Sequence, residues 1–327
     1  MVIYKNNSTD AYFNLASEQY LLDNFDGEIF MLWRNDNAVI VGKNQNTYAE
    51  IDYDYVNQNN IKVVRRLTGG GAVFHDKGNV NFSFIVPHSE SATLDFARFT
   101  QPVIEALESL GAKNVCLSGR NDILIEGAKI SGNAQSSYNG KTLHHGTLLY
   151  DSDISMLVGA LRVDEEKIKS KGIKSVRNRV NNIKDIAGLD MSTLECMDYL
   201  EKYIAKKNNA EIVEFTEQDK ADIQKLADEK YSTWEWNYGK SKEFSVSKKK
   251  RFDFGTVNVN ITAENGIIKQ IKIYGDYFGT NDVCEIENAL LMQKYDEQSV
   301  LAVLEKYDVS KYISGISGEE LLRLFFS

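Results

Sequence analysis

The sequence has 327 residues, with 38 Lys and Arg against 47 Asp and Glu, a formal charge of -9 at pH 7. Hydrophobic content of 43% and charged content of 26% exclude a disordered chain, and the length suits about two domains. No apolar run approaches the roughly 18 residues of a membrane span, and the acidic balance argues against nucleic acid as the main partner.

Residues 1–15 lack a basic region followed by an apolar one, so no secretory leader is read there. Three widely spaced cysteines, Cys116, Cys196 and Cys284, form no CxxC pair. They argue against a disulfide scaffold or a cysteine zinc site and predict a reducing, cytoplasmic setting. The two prolines, against about 16 at average usage, exclude a proline-rich linker.

In chain order, residues 10–25 predict an amphipathic helix with Asp10 as N-cap. Residues 28–34 and 38–42 predict buried strands separated by an Asn-Asp-Asn turn. Three further strands are expected at 61–66, 72–74 and 80–86, broken by a glycine-rich turn. Residues 100–110 predict a helix with Pro102 in its first turn and Gly111 as its stop. Strands follow at 122–127, 128–137 and 141–150, the last two joined by Asn139-Gly140, a strong hairpin signal. Helices are then expected at 154–161, 193–207 and 216–232, with a basic loop from Lys167 to Arg179 between the first two. A polar, basic stretch covers 239–251, after which a hairpin spans 254–276 and two short helices close the chain. This order predicts an α+β domain over residues 1–245 and a small α/β C-terminal domain over 246–327.

Three glycines, Gly69, Gly70 and Gly71, between strands are costly in chain entropy unless the backbone needs positive φ or touches a ligand. Their N–H groups could cradle an anion, with Arg66 adding charge; a tight turn without a ligand is the equal alternative. No GxxxxGK[ST] loop is present, and Phe74 stands where a dinucleotide fingerprint needs its last glycine. Lys129 lies in an apolar strand framed by small residues, suited either to a solvated edge or to a compact charge between two anions. His144 and His145 alternate across a strand and cannot form a same-face metal pair. No HExxH motif or GxSxG elbow occurs.

The segments RRLTGGGAVFHDKGN (65–79), GRNDILIEGAKISGNAQ (119–135), HHGTLL (144–149), KGIKSVRNRVNNI (171–183) and STWEWNYG (232–239) resemble the lipoate–protein ligase A family in order and spacing. The resemblance covers nearly the whole chain. It implies a biotin/lipoate-ligase-like mixed sheet flanked by helices, with an accessory C-terminal domain. It also implies a two-step reaction. Lipoate and ATP give lipoyl-AMP and pyrophosphate, and the acyl group then passes to a lysine of a carrier domain, the glycine cleavage H protein or an E2 subunit. By the same resemblance, Lys129 bridges the lipoyl carboxylate and the α-phosphate. Arg66, Gly71, Ala72, Val73, Phe74, Asn121 and Asp122 attend the adenylate, with Asp122 the candidate contact to Mg²⁺ carried in by ATP. Gly70, His75, Asn79 and His145 join Lys129 at the lipoate, and the loop 167–179 covers the adenylate. A monomer is implied.

Competing functions need other residues. An octanoyl or lipoyl transferase of this fold would carry its acyl group on a cysteine and need no ATP, and no cysteine follows Lys129 in the motif region. A biotin ligase would show a GRGRxGR-like loop where this chain has TGGGAVFHD. A non-catalytic lipoate-binding protein is disfavoured by the presence of both Arg66 and Lys129.

Overall fold

The computed structural model describes residues 1–88, 94–162, 180–238, 246–264 and 266–326. The first strands are β1 (Val2–Lys5), β2 (Ile29–Trp33), β3 (Ala38–Val41), β4 (Lys62–Arg65), β5 (Val73–His75) and β6 (Asn79–Pro87). They are followed by β7 (Val115–Ser118), β8 (Asp122–Ile125), β9 (Ala128–Tyr138), β10 (Lys141–Leu149) and β11 (Glu211–Glu214). An eight-stranded mixed sheet runs in the order β11–β1–β2–β6–β10–β9–β8–β7. Only the pairs β11–β1 and β1–β2 are parallel in it.

The central strand β2 reads IFMLW and is buried at every position, because both faces of the sheet are covered. Alternation sends Phe30 and Leu32 into one core, shared with Phe82, Val103, Leu107 and Leu200. It sends Met31 and Trp33 into another, shared with Leu15, Leu22, Ile85 and Ile223. The first core is closed by helices α2 (Phe96–Ser109) and α3 (Thr193–Asn208), the second by α1 (Ala11–Asn24) and α4 (Glu217–Leu226). Asp10 caps α1 by accepting from the Tyr12 and Phe13 amides at 2.8 and 3.2 Å. The buried side of α1 also contains Asn14, Ser17 and Glu18, so it is not an apolar stripe.

β2 and β3 are consecutive but belong to different sheets, since β3 is the centre of a three-stranded sheet β4–β3–β5. Val39, Val41, Val63 and Phe74 form a separate small core there with Ile51 and Val56. The chain between β4 and β5, residues 66–72, is therefore the glycine turn. At the tip of the β9–β10 hairpin, Asn139 (φ 47) and Gly140 (φ 72) both have left-handed backbones, as a two-residue turn requires.

The C-terminal module contains strands β12 (Val246–Phe252), β13 (Gly255–Glu264) and β14 (Ile267–Gly275), paired in that order. Helices α5 (Cys284–Leu290), α6 (Glu297–Leu304) and α7 (Gly318–Phe326) pack on the sheet around Val257, Ile271, Leu290, Leu304 and Phe325. It meets the glycine turn directly, where the Gly70 amide donates to the Tyr277 carbonyl at 3.1 Å. An ion pair from Lys43 to Asp282 at 2.7 Å lies nearby.

Four sequence expectations need correction. The helix carrying Pro102 begins at Phe96 after the cap Asp95, so Pro102 lies inside it rather than in its first turn. Burial of Phe96, Phe99, Val103 and Leu107 offsets the missing hydrogen bond. The basic stretch at its 246–252 end is a paired strand, β12, because Val246 and Phe252 pack on the C-terminal core. Beyond β14 there are four helices among the described residues rather than two, the additional ones being the short Val309–Tyr312 and a longer closing helix. The strands β7 and β11, both unforeseen, form the two edges of the large sheet. The basic loop 167–179 lies outside the described residues. So does the junction segment 239–245.

Candidate active site

The α1 face of the large sheet carries a row of opposed residues. Trp33 of β2 pairs with Asn81 of β6, which pairs with Thr147 of β10. Thr147 Oγ1 accepts from the Gly132 amide at 3.1 Å, and Gly132 of β9 pairs with Asp122 of β8. From β9 to β2 this row crosses three strand spacings of about 4.8 Å, about 14 Å in all. A bulge in the β8–β9 ladder pairs Lys129 with Leu124 and leaves Ile130 out of register, interrupting simple alternation. Lys129 Nζ lies 2.6 Å from Asp122 Oδ1, with both side chains mostly buried. A Cβ built on Gly132 would stand 3.5 Å from that ammonium nitrogen.

Above the row lies a cavity of about 180 Å³ lined by Trp33, Asn81, Gly132 and Lys129, with Leu15 and Ile40 adding apolar surface. The glycine turn closes one wall with Arg66, Gly70, Gly71, Ala72 and Val73. Phe278 of the C-terminal module reaches the same cavity. Gly70 adopts φ +89, and a Cβ on it would meet the Phe278 ring at 2.9 Å, so a side chain is excluded there. Gly69 is bare for a different reason, the Tyr277 carbonyl 2.5 Å from its Cβ position.

Neighbouring Arg65 and Arg66 do different things. Arg65 is completely buried and donates to the carbonyls of Gly42, Gln45 and Trp236 at 2.9, 2.7 and 3.0 Å, and to Thr47 Oγ1 at 2.7 Å. Its cation is a clasp for main chain, not part of the cavity wall. Arg66 lines the cavity and donates to the carbonyls of Gly69 (2.6 Å), Gly71 (2.8 Å) and Ile40 (3.1 Å). Its Nε donates to Thr68 Oγ1 at 2.9 Å, so every hydrogen bond it makes goes to a neutral acceptor. Burial lowers its pKa to about 10, which leaves it charged at neutral pH.

Behind the wall is a polar chain that sequence patterning does not reveal. Trp33 Nε1 donates to Ser83 Oγ at 2.8 Å, and Ser83 donates to Glu18 Oε1 at 2.6 Å. Glu18 Oε1 also lies 2.8 Å from His145 Nδ1, and His145 Nε2 lies 2.7 Å from Thr68 Oγ1. Glu18 escapes a periodicity argument because a polar residue on a helix reads as solvent-facing. It is 1% exposed.

Of the residues expected at a site, Arg66, Gly70, Gly71, Ala72, Val73, His75, Asn121, Lys129 and His145 all line the cavity. Three do not. The Phe74 side chain packs in the small-sheet core, since β5 turns it away from the cavity. Asn79 stands one step behind and donates to Asn81 Oδ1 at 2.8 Å. Asp122 reaches the cavity through its pair with Lys129. Burial, with Arg66 and His145 nearby, depresses the His75 pKa to about 3, so this ring is neutral; its Nδ1 lies 3.1 Å from Asn35 Nδ2. His144 packs on the opposite face against Phe82 and Phe99, and neither ring nitrogen has a hydrogen-bond partner among the described residues. Among the described residues no group of three or more His, Cys, Asp or Glu side chains could cage a metal.

A cavity that holds a lysine–carboxylate pair, an arginine-braced glycine turn and apolar side chains has the chemistry to bind an anionic group beside an apolar one. The chain belongs to the lipoate–protein ligase family. Residues 10–205 match the lipoyl protein ligase A/B catalytic domain and residues 241–325 match the bacterial lipoate protein ligase C-terminus. Lipoate-protein ligase LplJ of Bacillus subtilis is 42% identical with 100% of each chain covered, and lipoate–protein ligase 1 of Staphylococcus aureus is 42% identical with 98% of each covered. Among solved structures, LipL1 of P. falciparum in complex with lipoate superposes with a TM-score of 0.81 at 25% identity, covering 98% of this chain and 97% of that one. A chain from the structural analysis of the Thermoplasma acidophilum lipoylation system, a bipartite lipoate protein ligase and its E2 lipoyl domain, gives 0.64 at 31% identity over 75% of this chain and 98% of that one. A lipoate-protein ligase A bound with ATP gives 0.60 at 29% identity over 73% and 98%. No helix among the described residues is long and apolar enough to cross a membrane.

Proposed function

We propose that the protein activates lipoate with ATP and transfers the lipoyl group to a lysine of a lipoyl carrier domain, either an E2 subunit or the glycine cleavage H protein. The reading rests on one observation above all. A lysine ammonium, a braced glycine turn and an apolar end share one cavity that crosses the sheet from β9 to β2. The family relatives named for lipoate, ATP and an E2 lipoyl domain support it.

In the first step a lipoate carboxylate oxygen attacks the α-phosphorus of ATP. A phosphorus–oxygen bond forms, the bond to the bridging oxygen breaks, and pyrophosphate leaves. Two anions must approach, so Lys129 supplies a compact charge to both and surrenders its pair with Asp122 as they arrive. Arg66 fixes the turn that, with Gly71, Ala72 and Val73, walls the cavity where the nucleotide binds. Asn121 flanks the adenylate, while Gly70, His75 and His145 line the acyl tract, with Trp33 at its end. In the second step the carrier lysine amine attacks the acyl carbon and AMP leaves.

Mg²⁺ would be held mainly by the nucleotide phosphates and supply charge neutralisation, with Asp122, paired with Lys129, the candidate protein carboxylate. Residues 1–245 act as the catalytic module and 246–327 as the accessory one, within a monomer of the cytoplasm. Mass measurement of an apo-carrier domain after incubation with enzyme, lipoate and Mg-ATP tests this. A lipoyl mass increment that requires ATP supports it, and an increment independent of ATP replaces it with direct acyl transfer.

A further inference from the structure

We infer that Thr68 and Glu18 are positioning residues for the adenylation step, acting on the glycine turn through His145 and Arg66 without touching substrate. The inference rests on the proposed use of this cavity and adds residues outside its wall. Neither Thr68 nor Glu18 lines the cavity, and both are buried, at 0% and 1% exposure.

The hydrogen-bond directions fix the argument. A Glu18 carboxylate accepts only, so it takes hydrogens from Ser83 Oγ and from His145 Nδ1. With the ring hydrogen on Nδ1, facing Glu18, His145 accepts at Nε2, and the hydroxyl 2.7 Å away is that of Thr68. The Thr68 oxygen in turn accepts Arg66 Nε at 2.9 Å. That leaves the far nitrogen of the guanidinium to hold the carbonyls of Gly69 and Gly71 at 2.6 and 2.8 Å. An acid on α1 therefore orients a histidine of β10, which orients the hydroxyl that aims Arg66 at the turn.

Arg66 cannot keep this aim from its other contacts alone, since its other main-chain contact outside the turn is to the Ile40 carbonyl. The Thr68 hydroxyl is the fixed point on its Nε side. Replacing it by a methyl leaves the volume nearly unchanged, releases Nε and removes the acceptor seen by that nitrogen. A turn displaced by a fraction of an ångström loses its alignment with the nucleotide. Lipoate is less affected, because His145, which lines the acyl tract, keeps its hydrogen bond to Glu18. A misplacement of about 1 Å costs on the order of 100-fold in rate, and a smaller one correspondingly less.

The test uses the full-length enzyme with Thr68→Val, Thr68→Ser, Glu18→Gln and the Thr68→Val/Glu18→Gln double variant. Lipoate-dependent ATP–pyrophosphate exchange, lipoate affinity by calorimetry and thermal unfolding are measured for each. Thr68→Val is expected to lose about 10- to 100-fold in exchange kcat/KM for ATP, with lipoate affinity within about twofold of wild type. Thr68→Ser, which keeps the hydroxyl, restores exchange to within about threefold. The double variant loses no more than the worse single one, because both act through one chain. Wild-type exchange in a folded Thr68→Val protein, equal losses for Val and Ser, or additive losses in the double variant would overturn the inference. Lys129→Ala is run alongside: exchange surviving in that variant would instead sink the reading of the cavity itself.

Discussion

Lys129 Nζ stands 2.6 Å from Asp122 Oδ1, so the cavity's ammonium is held by a carboxylate that the substrate anions must replace. A lysine in an apolar strand has no structural need for that placement, and the bulge between β8 and β9 exists where it brings the two side chains together. Lys129→Ala is expected to lower lipoate-dependent pyrophosphate exchange by about 1,000-fold while leaving thermal unfolding near wild type. Lys129→Arg recovers little, because a planar fork cannot replace a point charge beside Gly132. Exchange rates within tenfold of wild type in a folded Lys129→Ala protein would remove the lysine from the adenylation step.

Arg65 and Arg66 are adjacent, yet substitutions at them should separate stability from activity. Arg65 is spent on the carbonyls of Gly42, Gln45 and Trp236, tying the β3–β4 edge to the segment 234–237. Arg65→Lys keeps the charge but not the fork, and should cost about 2–4 kcal/mol of unfolding free energy. Its exchange kinetics below the melting transition should stay near wild type. Arg66→Lys is expected to do the reverse, raising KM for ATP with a smaller change in urea midpoint. Equal loss of stability in both variants would contradict this division.

Much of the site was legible in the sequence, and what was not has definite physical reasons. The glycine run announced itself because three bare residues in a row need an explanation, and Lys129 because a cation interrupts an apolar strand. The Asn139-Gly140 turn was readable because its backbone requirement is local. By contrast, the separation of β2 from β3 depends on which partners pair with them far along the chain, and no local pattern carries that. Glu18 was hidden because amphipathicity assigns polar helix residues to solvent. Phe278 was hidden because it comes to the cavity from the other module. Which way the Phe74 side chain turns was not readable either, since a three-residue strand does not tell which face its middle residue shows.

Acid should destabilise the fold through two buried histidines. His144 is enclosed by Phe82, Phe96 and Phe99, with ring centroids 6.0, 5.7 and 4.8 Å away, and neither nitrogen has a partner among the described residues. Burial, reinforced by His145, pushes its pKa well below the usual histidine range, and burial takes His75 down to about 3. Both are neutral in the fold, whereas in the unfolded chain they take up protons below about pH 6.5. The stability tied to neutral rings is thus present above that pH. It is lost as pH falls, at about 1.4 kcal/mol per unit for each ring. His144→Phe should flatten the dependence by one ring's share and raise stability at pH 8 by about 1 kcal/mol. Urea melts at pH 8 and pH 5.5 measure both effects, and an unchanged slope in His144→Phe would refute the assignment.

The glycine turn offers the sharpest contrast between a residue bare for the fold and one bare for a ligand. Gly70 needs its missing side chain for backbone reasons, with φ +89 and Phe278 at 2.9 Å from its Cβ position. Gly70→Ala should therefore lower stability by about 1–2 kcal/mol. At Gly71 a Cβ would meet no atom of the described residues nearer than Asp276 Cβ at 3.9 Å, so none of them forbids alanine. Gly71 nevertheless lines the cavity, and its carbonyl is held by Arg66 at 2.8 Å. A methyl group there would stand where the nucleotide must approach the turn. Gly71→Ala should keep unfolding free energy within about 0.5 kcal/mol of wild type. Its KM for ATP should rise by about tenfold, with lipoate affinity nearly unchanged, because one misplaced methyl against a close-packed phosphate costs about 1.4 kcal/mol or more. Steady-state exchange at varied ATP, paired with a urea melt, reads both quantities, and an unaltered KM would mean that residues 69–71 brace the second module rather than receive the nucleotide.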